Sequence, residues 1–216
     1  MAGRSNGGCS PPSGARPVSA PLPEIRTARL AVRLARPGMQ AGIARFLHEN
    51  FEGHLDRWSP PASSAFFTEA FWRDRLAIAV EEFHSGRAAR FVLQALGPES
   101  GPVVGTCNYT NIVRGPFLAC HLGYQIARSH EGQGLMAEAL RATNGFVFRE
   151  MKLHRIMANY RPENERSARL LERLGFVREG LAKDYLFIDG AWRDHVLTAL
   201  VNPEFDPAWV ESAGRS

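Results

Sequence analysis

The residues best placed to do chemistry lie in one segment, Gly123 to Leu140, GYQIARSHEGQGLMAEAL. A strand-like run ends near Ile126, a short polar loop follows, and a helix opens at Gly132-Gln133-Gly134. The first N–H groups of a helix lack partners within it and carry partial positive charge, so a helix start binds phosphate. Glycines there, having no Cβ, let phosphate oxygens come close to the backbone. The segment reads as a pyrophosphate cradle built from backbone rather than from side-chain charge. Its spacing alone is ambiguous. Gly132-x-Gly134-x-x-Ala137 also satisfies the dinucleotide-binding fingerprint, which wants an acidic residue at the end of the next strand. The next strand-like run, HRIMANY, ends instead in Asn159 and Tyr160, and too little chain follows for the rest of such a domain. For an isolated glycine pair, a helix start where glycine relieves packing is the remaining alternative.

A second helix start bears on the choice. In NYRPENERSARLLERLGF, Asn164 precedes an amphipathic run as a capping residue, with Ser167 one turn in and Leu170, Leu171 and Leu174 on the packing side. Asn164 and Ser167 face the same way from the helix start. One strand-loop-helix that binds phosphates, followed by another that presents polar groups to the ligand's far end, suits a long bipartite cofactor such as CoA.

The elements that must position these residues alternate between two periodicities. Leu30, Val32 and Leu34 alternate as a half-buried strand does, and a helix through Ile43, Phe46 and Leu47 follows. The stretch from Asn50 to Ser64 reads as a loop carrying Phe51, Leu55 and Trp58, aromatics that either plug a core edge or line a pocket. A helix over 66–84 precedes strands over 90–95, 103–113 and 120–126. A long helix over 132–150, a strand over 155–160 and a helix over 164–174 ending at Gly175 come next. Strands over 182–188 and 193–200 are joined by Asp189-Gly190, a hairpin signal. The order β-α-α-β-β-β-α-β-α-β-β predicts an α/β (α+β) mixed sheet with helices on its faces, and excludes a doubly wound parallel sheet. Residues 1–23, rich in Gly, Ser, Pro and Ala, are expected to be a disordered tail, with the domain over 24–206 and a short tail over 207–216.

Composition bounds the function classes. At 216 residues with 44% apolar residues, the chain can bury a core without disulfides or a structural metal. Cys9, Cys107 and Cys120 are an odd count without CxxC spacing, which suggests neither a disulfide framework nor a zinc site. His54, His121, His154 and His195 show no ligand spacing, so no metal is expected. No apolar run suits a bilayer span or the core of a signal peptide, and the expectation is a cytoplasmic protein without a membrane partner. The net charge of +4 is almost all arginine, which permits affinity for CoA phosphates or ribosomal RNA without requiring it.

Four pieces taken together, YTNIVRGPFLACHLGYQI, GQGLMAEAL, HRIMANYRPENERSARLLERLGF and KDYLFIDGAWRDHVLTAL, resemble the GNAT acetyltransferases, specifically the RimJ/RimL group. The last two look closer to RimJ than to RimL, and the resemblance covers about residues 26–206. It implies a mostly antiparallel central sheet with a splayed strand pair, flanking helices and acetyl-CoA as co-substrate. It assigns Ile126 and Ala127 to backbone contacts with the pantetheine arm, and Gly132, Gln133, Gly134, Leu135 and Met136 to the pyrophosphate cradle. Asn164 would contact pantetheine, and Ser167 would help stabilise the departing thiolate, with Tyr160 the alternative general acid. Glu131 departs from the family pattern directly before the loop and is expected to face solvent. Arg128 is the expected phosphate partner, with Arg166 or Arg169 reaching a further phosphate of CoA.

The implied reaction is attack of a neutral amine on a thioester, with a donor for the oxyanion. An α-amine of pKa about 7.7–8.0 is roughly a tenth neutral at pH 7, against about 0.04% for a lysine near 10.4, so an N-terminal acceptor needs only a modest base. The position where some RimL-like relatives carry a catalytic Glu corresponds to Leu186, which leaves Asp184, Glu179 and Tyr185 as candidates. The acceptor side is expected around Phe51, Trp58 and Tyr185. The likeness implies a protein N-terminus as substrate, specifically the alanine of a small-subunit ribosomal protein, with possible contact to the ribosome and no specific DNA binding. Another N-terminus, a polyamine or an amino-sugar remain alternatives, as does a ribosome-assembly binding factor.

Overall fold

The computed structural model describes residues 21–97 and 101–213; of the tail expected over residues 1–23, residues 1–20, Cys9 among them, lie outside the described residues. In chain order the elements are β1 (Glu24–Arg26), β2 (Leu30–Leu34), α1 (Gln40–Asn50), α2 (Glu69–His84), β3 (Ala89–Ala95), β4 (Val103–Val113) and β5 (Ala119–Ile126). They continue as α3 (Leu135–Arg149), β6 (Arg155–Met157), α4 (Glu165–Arg173), β7 (Val177–Ile188), β8 (Ala191–Val201) and α5 (Ala208–Ala213). The strands form one sheet in the order β1-β2-β3-β4-β5-β6-β8-β7. Every neighbouring pair is antiparallel except β5 and β6.

Alternation along the strands gives each face its own core. Phe91 and Leu93, Cys107 and Tyr109, and Cys120 and Leu122 point to the face covered by α3 and α4, where they meet Leu135, Leu140, Val147 and Leu171. Val92 points to the opposite face and packs with Ile43, Phe46 and Leu47 of α1 and with Leu76 and Ala79 of α2. A polar strut crosses the first core: the buried Tyr109 hydroxyl lies 2.7 Å from Thr143 Oγ1 and donates to Asn144 Oδ1 at 2.6 Å.

Several boundaries differ from the sequence reading, each for a local reason. α3 begins at Leu135 rather than Gly132, because Gly132 (φ +73°) and Gly134 (φ +77°) adopt left-handed backbone outside the helix. α2 begins at Glu69 rather than near Phe66. Residues Ser64–Phe67 form a separate tight turn, and the extended Thr68 caps the helix by accepting from Phe71 N at 3.3 Å. The strand expected to reach Tyr160 stops at Met157, with Tyr160 returning as an isolated bridge to Val196. β7 is longer than expected because it pairs with β8 from Val177 onward, through two register shifts. The predicted hairpin forms, with Asp189 (φ +52°) and Gly190 (φ +70°) both left-handed as a primed turn requires. β1, three residues long, and α5, inside the segment expected as a C-terminal tail, were too short to show a period.

Candidate active site

The site starts from a failure of strand pairing. β5 and β6 pair over three residues only, Ala119–His121 against Arg155–Met157. Beyond that point β5 stays with β4 as far as Ile126, while the other chain follows β8. There Ala158 N donates to Thr198 O at 3.0 Å, and Tyr160 and Val196 exchange backbone bonds of 3.2 and 2.8 Å. The sheet parts between them. A cleft of about 1760 Å³ occupies the parting and reaches both faces.

One side of the parting is a backbone edge. Ala127 N donates to Val104 O at 2.8 Å, toward β4. Strand alternation therefore turns the peptide groups of Ile126 and Tyr124 the other way, to the side where β5 has lost its partner strand. The Ile126 carbonyl already meets His54 Nε2 at 3.0 Å. Ala127 itself is buried in the α1–α2 core, and its N–H is engaged, which corrects its assignment as a cofactor contact.

On the α3 face the cleft runs along the glycine loop, and Gly132 to Met136 all line it. α4 and α2 have side-chain caps; α3 has none. Its first N–H groups therefore open into the cleft. A Cβ at Gly132 would meet nothing within 4 Å, so the space before the loop is open. Behind the loop stands Arg29, which donates from Nη1 to Gln133 O and from Nε to Glu138 Oε2, both at 2.8 Å. Burial opposes ionisation of Glu138, yet hydrogen bonds from Thr27 and Arg29 hold its carboxyl below the ordinary range. Arg128 lines the cleft, donates its backbone N–H to Asn50 Oδ1 at 2.9 Å and bonds the Gly53 carbonyl through its guanidinium. Glu131 does not face solvent as expected. It lines the cleft and pairs with Arg166, which removes the repulsion that a bare carboxylate would offer to phosphate.

At the start of α4, Asn164 Oδ1 accepts from Ser167 N at 3.1 Å, which leaves the amide NH₂ for other partners. Ser167 Oγ lies 2.5 Å from the Tyr124 hydroxyl. Burial raises Tyr124 to about 12, against the Ser167 hydrogen bond and with some help from nearby Tyr160. Tyr124 is thus a protonated hydroxyl across neutral pH. Sequence reasoning overlooked it, although the β5 alternation that buries Cys120 and Leu122 extends to Tyr124 on the same face.

The α1–α2 face of the cleft is walled by Trp58, Ser59, Phe66, Phe71 and Trp72, above a polar floor of Thr106, Asn108, Gln125 and His195. Gln125 Nε2 donates to Ser59 Oγ at 2.9 Å and so ties the wall to β5. The Trp58 ring carries the guanidiniums of Arg57 and Arg161 at 5.3 and 5.4 Å. Four further expected residues, like Ala127, fall outside the lining. Phe51 packs edge-on against Phe66 and Phe67 as part of the core edge. Asp184 is exposed at the β7 bulge, where the strand's irregular register turns it outward. Tyr185 stands just behind the lining: its hydroxyl accepts from Asn159 Nδ2 at 3.0 Å, and its ring lies 5.3 Å from that of His195. Glu179 pairs with Arg155. Among the described residues no cluster of three metal-ligating side chains occurs, and no helix is long and apolar enough to cross a membrane.

A sheet parted beside an uncapped helix start is the arrangement of an acyl-CoA-using transferase, and comparison with known proteins agrees. The profile of the acetyltransferase (GNAT) domain matches residues 29–177. The chain is 44% identical over 188 residues to the [ribosomal protein uS5]-alanine N-acetyltransferase of Escherichia coli, covering 86% of this chain and 95% of that one. The crystal structure of ribosomal-protein-S5-alanine acetyltransferase from Vibrio fischeri superposes with a TM-score of 0.81 at 41% identity, over 85% of this chain and 99% of that one. Mycobacterium smegmatis RimJ in complex with CoA-disulfide superposes at 0.74 and 30% identity, over 93% and 98%. The chain belongs to the GNAT acetyltransferase family and is an acetyl-CoA-dependent N-acetyltransferase.

Proposed function

We propose that the enzyme acetylates the N-terminal α-amine of a protein, and that its acceptor is the N-terminal alanine of a small-subunit ribosomal protein in the cytoplasm. One observation carries this reading: a single cleft passes through the parted sheet, with an uncapped helix start on one face and an aromatic and polar mouth on the other. A long thioester and a peptide N-terminus can then approach from opposite faces. The likeness to enzymes named for the alanine of uS5 supports the choice of acceptor. The catalytic unit is residues 24–206.

The residues present fit acetyl-CoA, since an uncapped helix start beside open space is what a pyrophosphate needs. Bound there, acetyl-CoA supplies an acetyl group already activated as a thioester. Gly132, Gln133, Gly134, Leu135 and Met136 present backbone N–H groups to the phosphates, and Arg128 keeps guanidinium donors beyond the one spent on Gly53. The peptide edge at Tyr124, the N–H of Ile126, whose carbonyl is taken by His54, and the amide of Asn164 hold the pantetheine arm. Ser167, backed by Tyr124, presents a hydroxyl proton at the sulfur end; Tyr160, on the same face, is its alternative. Trp58 walls the acceptor's path.

The test is CoA release with acetyl-CoA and peptides beginning Ala, Ser or Met, a lysine peptide and spermidine, with mass spectrometry locating the acetyl group. Preferred α-amine acetylation of the Ala peptide is expected. Preferred modification of spermidine or of a lysine side chain would overturn the acceptor, and absence of turnover with acetyl-CoA bound would favour an assembly factor.

A further inference from the structure

The acetyltransferase reading leaves open which group takes the proton from the incoming ammonium. The carboxylates read from sequence, Asp184 and Glu179, lie outside the cleft or in an outer ion pair. The carboxylates that do line the cleft, Glu131, Glu163 and Glu165, each face an arginine, Arg166, Arg161 and Arg169. A base must instead stand on the acceptor face of the sheet, beside the parting, with an unspent lone pair.

We propose that His195 is this base. Tyr160 and Val196 exchange backbone bonds and so share a face, the one turned toward α3 and α4. Strand alternation puts the next residue, His195, on the other face, where an N-terminus would enter. His195 is buried at 3% exposure yet lines the cleft. Its Nδ1 lies 3.0 Å from the Arg193 carbonyl, an oxygen that can only accept, so Nδ1 carries the proton and Nε2 holds the lone pair. The Tyr185 ring, fixed through its hydroxyl by Asn159, packs at 5.3 Å and limits how the imidazole can turn. The other cleft histidines are differently engaged: His54 Nε2 is at the Ile126 carbonyl and His130 Nδ1 is at Ser129 Oγ.

The step balances. His195 Nε2 takes one proton from the α-ammonium. The freed lone pair forms the C–N bond as the thioester C–S bond breaks. The leaving sulfur takes a proton from the Ser167–Tyr124 pair, which the second nitrogen proton replaces. His195 then returns its own proton to solvent through the open mouth, for a net release of one proton per acetyl group.

This inference rests on the acceptor entering from the α1–α2 face, and its test separates from the acceptor's identity. His195→Gln and His195→Ala are assayed against wild type on whichever amine the wild type prefers, and on the matching peptide with an aminooxy N-terminus, whose nitrogen is already neutral at pH 7. The variants are expected to lose about 10²-fold or more in kcat on the amine, as for removal of a general base. On the aminooxy acceptor the loss is expected to be less than about 10-fold, since that nitrogen has no proton to give up before attack. The ratio of the two losses is independent of the folded fraction, so it remains readable if a variant is partly unfolded. Equal losses on both acceptors, or an amine activity within about threefold of wild type, would overturn the assignment. A wild type that prefers spermidine would overturn the alanine reading while leaving the His195 comparison intact.

Discussion

At the scale of single residues the proposed reaction places its proton donor on the hydroxyl pair of Tyr124 and Ser167. Two hydroxyls share one hydrogen bond of 2.5 Å, which leaves one proton to present to the cleft. Replacing either partner, as in Tyr124→Phe or Ser167→Ala, is expected to lower kcat by about 10–10²-fold while the acetyl-CoA Kd stays within about threefold. The double variant should lose little more than the worse single one, because the two act as a unit; steady-state kinetics beside calorimetric titration checks both points. Additive losses would mean that the hydroxyls act separately. Burial also holds the thiols of Cys107 and Cys120 up at about 12 from an ordinary 9.0, and Tyr124 at about 12 from 10.0. For such groups the unfolded chain ionises first. Their contribution to stability is complete below about pH 9 and is lost as pH rises toward 12. The melting temperature should therefore fall on the alkaline side from about pH 9, a trend that a differential scanning series would detect.

At the scale of elements the decisive object is the start of α3. Gly134 has φ +77°, and a Cβ there would lie 3.6 Å from Arg29 Nη2. Gly134→Asp combines a left-handed backbone penalty of about 1 kcal/mol with a carboxylate aimed at Arg29, where it competes with Gln133 O and Glu138 for the guanidinium that holds the loop. It should abolish acetyl-CoA binding by calorimetry while far-UV circular dichroism stays that of a folded protein. Arg29 holds the same loop from behind through Gln133 O and Glu138. Arg29→Ala is expected to weaken acetyl-CoA binding by roughly tenfold, since the loop loses its preorganisation; an unchanged Kd would mean that the loop holds its shape unaided. Neither Arg29 nor Glu138 stood out in the sequence, because their partnership joins residues 109 positions apart. The glycine loop and the capping Asn164 were legible because both follow from local chemistry: residues without Cβ at a helix start, and an oxygen that accepts from a helix N–H.

At the scale of the whole molecule the parted sheet joins two binding faces in one cleft, and ligand at one face stabilises the fold around both. Acetyl-CoA at about 100 times its Kd should add about 2.7 kcal/mol. For a domain of this size that is a rise of roughly 5–10 °C in melting temperature, which Gly134→Asp should not show. The sequence by itself determined the order of the elements from β2 to β8, the mixed sheet, the primed turn at Asp189-Gly190 and the two helix starts that line the cleft. All of these rest on periodicity and capping within a few residues. Only the tertiary structure decided where β5 leaves β6, and with it the pairing of Tyr124 with Ser167. The tertiary structure also put His195 on the α1–α2 face of the cleft, placed Asp184 and Phe51 outside it and set Glu131 against Arg166. Those relations depend on the register between strands distant in sequence, and a shift of one residue reverses the face of every side chain.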